Sequence, residues 1–103
     1  GILGNSKEVS ESSFSVNQNY PNPFNPITTL SYNLPQPSSV DLTIYDIKGN
    51  VVFNQKKVKQ TAGYHSVRWD ATNINGELVS TGVYLYKIQA GDFIVKKKMI
   101  FLK

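Results

Sequence analysis

The chain has 103 residues, a net charge of +4 and no cysteine. That length fits one domain. A content of 40% hydrophobic and 12% aromatic residues argues against a disordered chain, and the missing cysteines exclude disulfides, thiolate metal sites and cysteine nucleophiles. No apolar run approaches the roughly 20 residues that a membrane-spanning helix requires, and the first residues lack the basic and apolar segments of a signal peptide.

Residues 1–13, GILGNSKEVSESS, are polar, rich in Ser and Glu and without period. They read as a linker or in part a cloning remnant, with the folded domain expected over 14–103. No window keeps apolar residues at helical spacing, so the prediction is strands throughout. A first strand is expected around Phe14–Gln18. NYPNPFNPI follows, with Pro21, Pro23 and Pro26; proline lacks a donor, so this stretch is extended but outside a ladder interior. Leu30, Tyr32 and Leu34 alternate, then Pro35 and Pro37 end that strand. Val40, Leu42 and Ile44 form the next inward set. The turn Asp46-Ile47-Lys48-Gly49-Asn50 needs a positive φ at Gly49 or Asn50. A return strand is expected over 51–58, a loop over 59–63, and alternation at His65, Val67 and Trp69. A long polar connection with Asn75-Gly76 leads to Gly82, a strand over 83–90, a turn at Gly91-Asp92 and a last strand over 93–102. In that last strand the apolar pairs at 94–95 and 99–102 predict either a bulge near Lys96–Lys98 or burial on both faces. Turn signals at short intervals between about seven antiparallel strands define an all-β, immunoglobulin-like β-sandwich.

Chemistry-bearing constellations are sparse. His65 is the one histidine and stands in an alternating strand with no nucleophile elbow nearby, which argues against a catalytic triad. Asp46 and Asp92 read as turn residues, and so small a sandwich has little room for a cleft in which two carboxylates converge. The oxygen-rich loop holds Asp70, Asn73 and Asn75 as weak metal-ligand candidates, but Ile74 breaks the calcium-loop spacing, and Asx-turn bonding accounts for the same residues. No metal, cofactor or enzyme activity is expected. The basic run Lys96, Lys97 and Lys98, with Lys103, reads as a solvated edge strand or an anion-binding face. The aromatic residues are expected mainly in the core, with Trp69 at its centre, so nucleic acid is not an expected partner.

The segments NYPNPFNPITTLSYNLP (19–35), VDLTIYDIKGNVV (40–52), AGYHSVRWDATNINGELVSTGVYLYKI (62–88) and KKMIFLK (97–103) resemble, in that order, the type IX secretion C-terminal sorting domain. That family in turn resembles the immunoglobulin-like domain of the flagellar hook-capping protein. The resemblance implies a C-terminal module read by an outer-membrane export machine and by a sortase-like peptidase. It also implies an upstream cargo domain and a secreted or cell-surface protein of a Gram-negative bacterium, exported through the periplasm. The family's motif positions fall on Pro21, Asn22 and Pro23, on Gly82 and Tyr84, and on Lys97, Lys98 and the terminal strand through Lys103; Lys96 belongs to the same basic run. The last strand is expected to offer unpaired backbone groups and lysines to a receptor. Two alternatives are carried: a carbohydrate-binding or spacer module of a secreted glycoside hydrolase, using Trp69 with Tyr64 or Tyr45, and a hook-capping-like assembly module with weak self-association.

Overall fold

In the computed structural model, residues 13–103 are described, and the linker expected over 1–13 lies, but for Ser13, outside them. Among the described residues are seven strands: β1 (Ser15–Val16), β2 (Thr28–Leu34), β3 (Ser38–Asp46), β4 (Val51–Gln60), β5 (Gly63–Trp69), β6 (Gly82–Ala90) and β7 (Phe93–Phe101). The pairings between these strands are all antiparallel and form two sheets, β1-β2-β5 and β4-β3-β6-β7. This is the immunoglobulin-like sandwich that the alternation predicts.

Period-2 patterning sets the core. Leu30, Tyr32 and Leu34 of β2 meet Val40, Leu42 and Ile44 of β3 and Tyr84, Tyr86 and Ile88 of β6 between the sheets, all buried. A slip of one residue in any of these strands would turn its whole apolar set to solvent. Gly49 takes the positive φ of the β3–β4 turn. Asp46 closes that turn: its carboxylate accepts from the amides of Lys48 and Asn50, each at 2.9 Å. Those bonds, Asn50's above all, hold the Asp46 carboxyl below its ordinary pKa.

Three expectations are corrected. The bulge predicted at Lys96–Lys98 is absent, because β6 and β7 pair without a break from Gly82↔Phe101 to Ala90↔Phe93. The apolar residues of the second face of β7 are instead exposed at Ile94 and half-buried at Ile100. The bulges lie in β4, where the β3 register shifts between Ser38 and Val40 and again between Ile44 and Tyr45. At the first, Lys59 adopts φ 60°, and the extra residue lets pairing run on to Gln60, so the loop expected over 59–63 is shorter. Bulges twist an edge strand away from further pairing. The first strand is also shorter than expected, since the chain leaves β1 after Val16 to enter the strap described next.

Candidate functional site: the proline strap and the last strand

Residues 17–27 form a strap that crosses from one sheet to the other. Tyr20 bridges Thr29 at the end of β2, and Phe24 bridges Phe101 of β7 in parallel fashion. The prolines explain the form, since each removes a donor and disfavours continuous ladder pairing. The free non-proline groups pair at defined points. The amide of Phe24 donates to the Ile100 carbonyl and the amide of Leu102 donates to the Phe24 carbonyl, each at 3.0 Å. The Ile100 amide donates to Asn22 Oδ1 at 2.9 Å, and Gln18 Nε2 donates to the Lys98 carbonyl at 2.8 Å.

A buried polar network fixes the strap from beneath. The Tyr86 hydroxyl donates to the Asn17 carbonyl at 3.0 Å and accepts the Asn19 amide at 2.9 Å. The Asn19 side chain, 2% exposed, donates to Thr28 Oγ1 at 3.0 Å, and Thr28 donates to the Pro21 carbonyl at 2.8 Å. Burial raises the Tyr86 hydroxyl above its ordinary pKa, so it stays protonated and serves as donor and acceptor at neutral pH. A network of this kind stabilises only while every member is satisfied.

An aromatic cluster anchors the other end. The Phe24 ring stacks on Phe101 at 5.2 Å and tilts against Trp69 at 5.9 Å, and Trp69 meets Tyr84 edge-on at 5.8 Å. The Tyr84 hydroxyl donates back to the Ser80 carbonyl at 2.5 Å, the corner contact common near the start of this strand in immunoglobulin-like folds. Gly82, at φ 146°, makes the entry into β6; a side chain is rarely found in that conformation.

The predicted site residues therefore fall into two groups. Pro21, Asn22, Pro23, Gly82 and Tyr84 gather around the C-terminal half of β7, Gly82 opposite Phe101 and Tyr84 opposite Met99. The lysine run is divided by the strand's alternation. Lys96 and Lys98 are exposed on the outer face, while Lys97 is half-buried on the inward side opposite Tyr86. Lys103 lies exposed beyond the end of β7. The expectation of a freely offered last strand is corrected for its C-terminal half, where Lys98, Ile100 and Leu102 bond to the strap.

Asn19, Thr28 and Tyr86 were not among the predicted site residues. One signal was available: a core tyrosine must place its hydroxyl on a partner. In the candidate metal loop, Asn73 Oδ1 accepts the amides of Asn75 and Glu77 at 2.9 and 3.0 Å. Asp70 Oδ1 accepts from Thr72 Oγ1. The Asn73–Asn75 bond is an Asx turn and the others are further local bonds within the loop, and no group of three or more His, Cys, Asp or Glu side chains gathers among the described residues. The His65 ring stacks on Tyr32 at 5.6 Å, with Nε2 2.7 Å from the Thr61 carbonyl. The aromatic platform proposed for sugars does not form. Trp69 is 2% exposed, Tyr64 78% exposed on the three-stranded sheet, and Tyr45 sits on the four-stranded sheet beside Lys87.

Fold and strap define a seven-stranded immunoglobulin-like module. The FlgD Ig-like domain family matches residues 25–92, and the chain belongs to it. No curated protein matches the sequence. Among solved structures, FlgD from P. aeruginosa is similar at 26% identity and a TM-score of 0.61, over 74% of this chain and 67% of that one. PorU of Porphyromonas gingivalis, solved as a latent dimer, is similar at 24% identity and a TM-score of 0.69, over 87% of this chain and 9% of its own. PorZ, an essential surface component of the type IX secretion system of the same organism, is similar at 21% identity and 0.62, over 95% and 13%. The chain thus spans a small part of either protein, and at these identities both share the fold.

Proposed function

We propose that residues 14–103 are a non-catalytic C-terminal sorting module of a protein exported by type IX secretion, joined by residues 1–13 to an upstream cargo domain. Its partners are the outer-membrane export machinery and a sortase-like peptidase. The route runs through the periplasm of a Gram-negative bacterium to the cell surface or medium. The observation that carries this reading is the meeting of Asn22 and Phe24, within the proline motif, with Ile100 and Leu102 near the other end of the chain. Segments that the sorting-domain resemblance draws from distant parts of the sequence thereby meet. Likeness in fold to PorZ and PorU supports it.

A second reading, an assembly module of the hook-capping kind, is favoured by the FlgD family match over residues 25–92. An export assay separates the two. A reporter carrying a signal peptide and this chain is expected outside a bacterium with type IX secretion. The same reporter with Lys96→Glu, Lys97→Glu and Lys98→Glu is expected to stay in the periplasm, with the fold checked by circular dichroism. Normal export of the charge-swapped reporter would contradict the sorting reading, and tight self-association by sedimentation would favour assembly.

A further inference from the structure

The outward backbone groups of β7 divide sharply. Its even-numbered residues point away from β6. The Lys98 carbonyl, both groups of Ile100 and the Leu102 amide are bonded to the strap. The amide and carbonyl of Ile94, those of Lys96, and the Lys98 amide have no partner among the described residues. Among the described residues, half of the edge is closed by the chain itself and half is open.

On the outer face, the charged side chains of β7 and of the β6 segment paired with its open half are all lysines. On the outer face Lys96 stands directly opposite Lys87, and Lys98 opposite Leu85. Directly opposed like charges destabilise a sheet. Lysine on an edge strand is explained by protection against aggregation, but Lys87 lies on β6, which has a neighbour on each side, so that explanation does not reach it. Neither Lys87 nor Lys96 has an acidic partner among the described residues; Lys87 lies over the Tyr45 ring instead. Asp41 on the same face is engaged by Asn54 Nδ2 at 2.7 Å.

We propose that this open half-edge, Ile94 to Lys98, binds an acidic, extended polypeptide segment by strand addition, with carboxylates at alternate positions beside Lys96 and Lys98, and with Lys87 behind Lys96 adding to the positive charge. The proposal rests on the reading that another protein grips the last strand, and it names the chemistry of the partner. A polypeptide is favoured over a polysaccharide or a lipid surface because only a second backbone matches unpaired donors and acceptors at strand spacing. The lysines account for its charge.

The test uses the isotope-labelled chain and a synthetic peptide of alternating Glu and Thr, about ten residues long. Binding is expected to shift the amide signals of Ile94, Lys96 and Lys98, while a Lys/Thr peptide leaves them unmoved. Ile94→Pro removes an outward donor, keeps every lysine and leaves the β6 ladder intact. That variant and Lys96→Glu/Lys98→Glu are each expected to weaken binding about tenfold or more. N-methylation of the peptide on its β7-facing amides, which leaves the protein unaltered, is expected to abolish binding. Three results would overturn the proposal: no binding, binding indifferent to N-methylation, or heparin displacing the peptide with the same dependence on the lysines and none on Ile94→Pro. Because the assay uses purified chain, its failure leaves the export reading standing. A reporter exported normally despite the charge swap would sink that reading without touching peptide binding.

Discussion

Tyr86 serves two purposes, filling the core with its ring and holding the strap with its hydroxyl. Tyr86→Phe keeps the ring and orphans the buried Asn19 amide. An unsatisfied buried donor costs about 1–3 kcal/mol, and in a domain this size each kcal/mol lowers the Tm by about 4–8 °C, so calorimetry is expected to show a clear downward shift. Asp46 gives a second residue-scale prediction. Its carboxyl titrates below the ordinary value because backbone amides favour the charged form. The resulting stability is present above the unfolded-state value of about 3.9 and is lost as pH falls through the lower folded value. Asp46→Asn is therefore expected to be less stable than the parent near neutrality and to lose less on acidification. Urea midpoints measured down the pH scale check this, and parallel curves for the two proteins would contradict it.

At the scale of elements, the strap and β7 behave as one unit. Phe24 is fully buried between Phe101 and Trp69, and its backbone bridges the last strand. Phe24→Ala is expected to cost about 3–5 kcal/mol, with amide exchange at Ile100 and Leu102 accelerating before that of Leu42 or Ile44 in the central strand. Uniform acceleration across both sheets would mean that the strap is merely part of the general core. Edge β4 shows the contrasting device: two bulges and the exposed Lys56, Lys57 and Lys59 blunt it, whereas β7 pairs in register along its length with no bulge.

For the whole molecule, the strands were readable because period-2 alternation is a local signal. Leu30, Tyr32 and Leu34 or Val40, Leu42 and Ile44 announce their face within one strand's length. The turn at Gly49 was readable for the same reason. The bulges were not: two apolar neighbours at 94–95 look like a kink but are an exposed residue beside a half-buried one, and Lys59 carries no glycine to mark its positive φ. The site was readable as a set of residues and unreadable as a geometry. Asn22 meets Ile100 across 78 positions and Asn19 meets Tyr86 across 67, and no pattern along the sequence records such pairings. Nor does the run Lys96-Lys97-Lys98 disclose that alternation sends its middle member to the other side.

Both functional readings of β7 depend on its edge being closed at one end and open at the other. Residue-resolved hydrogen exchange on the free chain measures this directly. The account predicts amides of Ile100 and Leu102 protected by about a hundredfold or more over those of Ile94 and Lys96. Equal protection along the strand, or protection reversed between its two halves, would contradict it.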